Sequence, residues 1–229
     1  KTAFVRVFNH GFQGPGGWYI ENSLTTIGQK DPLSEYNSVL WNSGIEANKE
    51  IARKQKRRLT YFSNIYVVED KANPQNEGKV FIFRFGKKIF DKISSMSNPE
   101  FEDETEVDVF NLWDGANFKL KIRKVDGFSN YDKSEFMTSA PLSEDESEME
   151  SVFGQQHDLE EFIDQKSFKT YDELKTRLDT VLGNIQTAAM TAPTSVENDE
   201  APFDGGTPIP ESSTSEDENL DYFKKLAEA

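Results

Sequence analysis

KRRLTYFSNIYVVEDKANPQNEGKVFIFRFGKKIFDK, residues 56–92, is the stretch on which the fold turns. It reads as a strand, a turn around NPQNEG, a second strand and a short helix. In KVFIFRF the period of two puts Phe81, Phe83 and Phe85 on one face and Val80, Ile82 and Arg84 on the other. The helical spacing that follows lines up Phe85, Ile89, Phe90 and Ile93 as one apolar stripe. Cations and rings alternate through the segment. Residues 49–92 carry twelve Lys or Arg against five Asp or Glu, inside a chain whose formal net charge is −15. A local reversal of sign with rings between the charges suits a groove for single-stranded nucleic acid, cations meeting phosphates and π-faces meeting unstacked bases. The same pattern also describes a hairpin whose aromatics are core and whose lysines solvate one face.

Working outward, TAFVRVF at 2–8 and WYIEN at 18–22 read as strands, separated by Asn9-His10-Gly11 and a glycine-rich turn. From Pro32, helical spacing of Leu33, Tyr36, Val39 and Leu40 predicts a helix that stops at Gly44. Residues 45–58 are a basic helix or a helix-biased loop. TEVDVFNLW at 105–113 and ANFKLKIRKV at 116–125 are expected to be two strands around an Asp114-Gly115 hairpin. In the second, Phe118, Leu120 and Ile122 oppose Lys119, Lys121 and Arg123, a basic face turned to solvent or to the wall of the groove. DGFSNYDKSEF, with Phe128 and Tyr131, reads as an aromatic loop.

After Ser139 the composition changes. Residues 1–133 hold 20 basic and 18 acidic side chains, while residues 134–229 hold 6 and 23. Two acidic helical stretches are expected within 141–183, packed on the core. Residues 184–229 have too few apolar side chains for a core and read as a disordered acidic tail. It ends in a weakly amphipathic motif of Leu220, Tyr222, Phe223 and Leu226, a docking peptide or a frayed terminus. The chain begins at Lys1 rather than Met with a strand at once, so a longer protein is expected upstream.

Several functions are disfavoured. With no cysteine in the sequence, disulfides and thiolate metal sites are excluded. No apolar run approaches the roughly 20 residues of a membrane span. The only histidines are His10 and His157, and the carboxylates concentrate away from the basic stripe, so no catalytic constellation is legible and a non-enzyme is expected. The fold expected from short aromatic strands broken by one helix is mainly β with added helices (α+β), a five-stranded OB-fold barrel with a small helical and loop subdomain.

Four blocks carry a resemblance. FNHGFQGPGGWYIE, KRRLTYFSNIYVVED, NEGKVFIFRFGKKIFDKI and WDGANFKLKIRKVDGFSNYD, in this order, resemble the helix-destabilising single-stranded DNA-binding proteins of T-even bacteriophages. The likeness covers residues 3–136 and extends loosely to about 183. It implies an OB-fold core at 1–140 that coats single strands without strong sequence preference during phage replication, recombination and repair in the host cytoplasm. The family's groove aromatics fall on Trp18, Tyr61, Phe62, Phe83, Phe128 and Tyr131. Its basic groove residues match Lys56, Arg57, Arg58, Arg84, Lys87 and Lys88, with Lys119 and Lys121 as further candidates from the face pattern above. The acidic tail resembles the family's segment for polymerase, helicase loader and recombinase in composition and position.

Two departures from the family matter. Its zinc is held by His-x12-Cys-x9-Cys-x2-Cys, and here only His10 survives, with Ser23, Leu33 and Tyr36 at the cysteine positions. No zinc or other cofactor is therefore expected, and Leu33, Tyr36, Leu40 and Trp41 are expected to form an apolar mini-core in a zinc-less subdomain around 10–58. The family's basic N-terminal arm, which links monomers along the strand, has no counterpart before Lys1, so weak cooperativity is expected. An RNA-binding translational regulator or a protein-interaction module of the same fold would fit the pattern too.

Overall fold

The computed structural model describes residues 2–101 and 103–183. Its main element is an antiparallel sheet of four strands, β1 (Phe4–Gly14), β2 (Gly17–Asn22), β3 (Arg58–Tyr66) and β4 (Val80–Phe85), in the order β2-β1-β3-β4, curled into a half-barrel. Four shorter strands pair off as two ribbons, β5 (Phe118–Lys119) with β8 (Glu135–Phe136) and β6 (Arg123–Val125) with β7 (Phe128–Asn130). The helices are α1 (Pro32–Asn42), α2 (Glu46–Gln55), α3 (Lys87–Ser97), α4 (Glu146–Gly154) and α5 (Tyr171–Leu182). The class is mixed α+β, and the hydrogen bonding gives a four-stranded sheet with two ribbons where the sequence led us to expect a five-stranded barrel.

Local chemistry explains most boundaries. Asp31 caps α1 by accepting from Ser34 N, Pro32 fills the first turn, and Gly44 follows the helix with φ of 74°. A reciprocal capping box, Thr170 with Glu173, starts α5, and Gly183 ends it in the left-handed region. Asp126 (φ 50°) and Gly127 (φ 84°) both have positive φ between β6 and β7, the requirement of a type I′ hairpin turn. Two expectations fail here. Residues 105–113 form turns and irregular chain instead of a strand, and 116–125 breaks into β5 and β6 with Leu120 and Ile122 exposed. β1, in turn, runs straight through Asn9-His10-Gly11, because the register with β2 supplies partners for all three residues.

Side chains alternate across the sheet, and one face carries two separate cores. The first joins Phe12 and Tyr19 to Leu24, Leu33, Phe168, Leu174, Leu178 and Val181, so α5 closes it over the β1–β2 hairpin. The hairpin approaches so closely that a Cβ on Gly16 would lie 1.9 Å from Thr180 O. The second joins Tyr61 and Phe85 to Ile89 and Ile93 of α3, with Phe4, Phe83, Phe90, Phe110, Tyr131 and Phe136 around them. Along Phe81, Phe83 and Phe85 the chain passes from exposed to half-buried to buried, so the phenylalanine face is core only at its α3 end. On the opposite face, residues 157–162 lie across β3. Asn64 donates to His157 O (3.0 Å) and accepts from His157 N (2.9 Å), and Phe162 stacks on Phe62.

Candidate nucleic-acid interface

The β3–β4 hairpin sets the frame of the site. Its turn is tied by Asp70, whose carboxylate accepts from the backbone of Ala72 and Asn73 and from the Asn76 amide. The register Tyr61↔Phe85, Phe62↔Arg84, Ser63↔Phe83 then fixes which side chains stand together. Tyr61, Phe83 and Phe85 share the core face, while Phe62 and Arg84 share the other. The sequence-predicted aromatics therefore do not form one line.

Their environments differ sharply. Trp18, on β2, is 54% exposed, and its carbonyl accepts from Arg177 Nη2 at 2.9 Å. Phe128, in the β6–β7 ribbon, is 37% exposed. Phe83 is half-buried with its ring 5.6 Å from Phe85, and Tyr131 is half-buried against the second core. Tyr61 is 4% exposed and lies between two rings, Phe85 at 5.4 Å and Phe90 at 4.1 Å, both within 14° of parallel. Its faces are occupied, so in this conformation it is a core residue and not an open platform. Burial, above all, raises the Tyr61 hydroxyl pKa, with Arg6 opposing and Asp91 adding to the rise. Phe62 is half-covered by Phe162, the ring centroids being 4.5 Å apart.

The cations sort by partner. Lys87 pairs with Asp91 (2.7 Å), Lys121 with Glu135 (2.6 Å), and Arg123 with Asp132. Among the described residues, Lys56, Arg57, Arg58, Arg84, Lys88 and Lys119 make no ion pair. Arg57 lies over the Phe8 ring, 4.4 Å from its centroid. Arg6 and Phe8, absent from the sequence-predicted set, stand on the core face of β1 opposite Tyr61 and Leu59. Only the long-range β1–β3 pairing brings them there, so no local signal in the sequence could have found them. Leu220, Tyr222, Phe223 and Leu226 lie outside the described residues.

At the four positions that the resemblance matches to zinc ligands, only His10 carries an imidazole or thiolate. His10 is 2% exposed, with Nδ1 3.2 Å from Gln55 O and Nε2 3.3 Å from Asp31 Oδ1. Ser23 is engaged with Thr25, Leu33 is aliphatic core, and Tyr36 packs against the first core. Asp31, 1% exposed, accepts from Ser34 N (2.9 Å) and Leu24 N (3.1 Å) besides facing His10. Burial pushes the Asp31 pKa up, but His10 and these two N–H groups outweigh it and bring it down to about 2. The donor set is one imidazole and one carboxylate already filled with hydrogen bonds, too few for a tetrahedral zinc. Trp41, expected in an apolar mini-core, is instead 48% exposed with Lys49 and Arg53 over its ring. The apolar replacement is thus Leu33 and Tyr36, and the rest is a polar hub of His10, Asp31 and Gln55.

These features define a class: a mixed α+β domain on a curled antiparallel sheet, with unpaired cations and partly open rings around one hairpin. The family model described as gp32 DNA binding protein like matches residues 1–182. The chain is 46% identical over 197 residues to the single-stranded DNA-binding protein of Enterobacteria phage T2, an alignment covering 83% of this chain and 63% of that protein. Against the single-stranded DNA-binding protein of Enterobacteria phage T4 the identity is 45% over 190 residues, covering 80% and 62%. This chain belongs to the gp32-like family of DNA-binding proteins. It spans a little under two thirds of the length of both relatives.

Proposed function

We propose that this chain coats single-stranded DNA without strong sequence preference, holding phosphates on basic side chains and stacking bases on open rings. The observation that carries this is the set Lys56, Arg57, Arg58, Arg84 and Lys88, cations without a carboxylate partner among the described residues of a chain whose formal charge is −15. So many unneutralised cations around one hairpin of an acidic protein suit a polyanion. The names of the T2 and T4 relatives support single-stranded DNA as that polyanion. Trp18 and Phe128 offer the most open ring surface, with Phe62, Phe83 and Tyr131 half-buried.

Around this activity we place a wider reading. The half-barrel sheet is an opened OB-type core within 1–140, the 10–58 subdomain works without zinc, and 141–183 packs on the core. The protein acts in replication, recombination and repair of phage DNA in the host cytoplasm, as a binder and not a catalyst. A labelled strand incubated with magnesium should stay uncut. Residues 184–229 compete with DNA for the basic surface and hand over to the polymerase, helicase loader or recombinase, so deleting them raises affinity at low salt. An unchanged affinity after that deletion would remove the competition model.

The main test is quenching of tryptophan fluorescence on titration with oligo(dT) at several salt concentrations. Saturable quenching is expected, with log affinity falling against log salt by about 0.7 per phosphate contacted. No saturable binding at low salt would overturn the proposal. Tighter binding of oligo(rU) than oligo(dT) would redirect it to RNA.

A further inference from the structure

The alternation of β1 sends Phe4, Arg6, Phe8, His10 and Phe12 to one face of the sheet. Phe4 packs against the second core and Phe12 belongs to the first. Between them lies a strip of sheet that neither core includes. Arg6 is exposed there, directly across from Tyr61, and close enough for its charge to act on the Tyr61 hydroxyl. Two residues on, Phe8 is half-buried opposite Leu59, and the Arg57 guanidinium lies over its ring at 4.4 Å. The backbone of Phe8 is pinned, its N–H donating to Thr26 Oγ1 (2.9 Å) and its carbonyl accepting from Ser23 N (2.8 Å). Neither Arg6 nor Arg57 has a carboxylate partner among the described residues.

An arginine plane laid on a phenyl ring, beside a second free arginine on a rigid strand, is chemically a nucleotide subsite. Bases stack on guanidinium planes as they do on rings, and a lone arginine on an exposed strand takes a phosphate. We propose that Arg6, Phe8 and Arg57 form a subsite for one nucleotide of a bound single strand, Arg6 holding its phosphate and the Phe8–Arg57 stack holding its base. The inference rests on the proposed single-stranded DNA binding and adds to it a position on β1, in the gap between the two cores. The ligand here is DNA because the strip offers free positive charge and π-surface together. An apolar partner would leave both arginines desolvated without a counter-charge.

The test uses the full chain in the oligo(dT) titration, with Arg6→Gln, Phe8→Leu and, as a control far from the strip, Lys175→Gln on α5. Arg6→Gln should reduce the salt slope by about 0.7, the share of one phosphate. Phe8→Leu, which keeps an apolar contact for Leu59 but removes the ring, should weaken binding about fivefold to 150-fold with the slope unchanged. Lys175→Gln should change neither. If the unaltered chain fails to bind, the proposed function itself falls. If it binds and Arg6→Gln leaves both slope and affinity as they were, the subsite falls. Arg6 is exposed, so its substitution reports on binding even if Phe8→Leu disturbs folding.

Discussion

Replacing Asp31 by alanine tests how the subdomain is held to the sheet. The carboxylate is 1% exposed, accepts from Ser34 N at 2.9 Å and Leu24 N at 3.1 Å, and lies 3.3 Å from His10 Nε2. The alanine side chain offers no acceptor, so two backbone donors and the imidazole lose their partner in a site closed to water. Loss of an N-cap alone costs about 1 kcal/mol, and leaving a further buried donor without its acceptor costs about 1–3 kcal/mol. We therefore expect Asp31→Ala to destabilise the protein by about 2–4 kcal/mol. Asp31→Asn keeps one carbonyl oxygen for one of the two N–H groups and should cost less, about 1–3 kcal/mol. Urea unfolding followed by tryptophan fluorescence and far-ultraviolet circular dichroism measures both, the midpoint moving with little change in m value. The unaltered protein should unfold at the same urea concentration with and without a strong chelator, because one imidazole and one carboxylate are too few donors for a tetrahedral zinc. Two results refute the reasoning. A loss under about 1 kcal/mol for Asp31→Ala would mean the hub is idle, and a large chelator effect would mean that a metal holds the subdomain after all.

Other substitutions probe separate parts of the structure. Gly16→Ala would force a Cβ against Thr180 O, 1.9 Å away, and should cost about 1–3 kcal/mol by urea unfolding by prising α5 from the β1–β2 hairpin. Lys88→Gln should lower the salt slope of DNA binding by about 0.7, whereas Lys121→Gln should lower it less, since Lys121 is already tied to Glu135 at 2.6 Å. Tyr171 donates to Glu35 Oε2 at 2.6 Å, and burial first, then this bond, pushes its pKa up to about 12. A raised phenol favours the neutral form in the fold, so its contribution is complete below about pH 10 and lost as pH rises through about 12. Tyr171→Phe should cost about 1 kcal/mol at neutral pH, and its stability gap from the unaltered protein should shrink over that alkaline range.

What the sequence made legible was local. Asp31-Pro32 before a periodic run and Gly44 after it gave α1 almost to the residue, because cap chemistry is written within a few positions. KVFIFRF gave the two faces of β4 correctly, since a period of two needs no partner. What was hidden depends on contacts made far along the chain. The ring of Phe62 reads as a free platform until Phe162, a hundred positions later, is seen stacked on it. Tyr61 reads the same way until Phe85 and Phe90 enclose it. TEVDVFNLW has strand-like composition, yet among the described residues no strand lies beside it to accept its hydrogen bonds, so the propensity goes unused. Asp126-Gly127 is a strong two-residue hairpin signal, whereas the aromatic residues beside it become strand only through the pairing of Arg123–Val125 with Phe128–Asn130.

The dependence of the first core on α5 sets a clock on synthesis. Gly16 donates to Val181 O at 2.9 Å, and Tyr19, Leu24 and Leu33 are buried only with Leu174, Leu178 and Val181 in place. At about 5–20 residues per second, the hairpin leaves the ribosome on the order of ten seconds before the helix that covers it. During that interval the nascent chain carries an uncovered apolar surface, so shelter by a chaperone matters most for the β1–β2 hairpin.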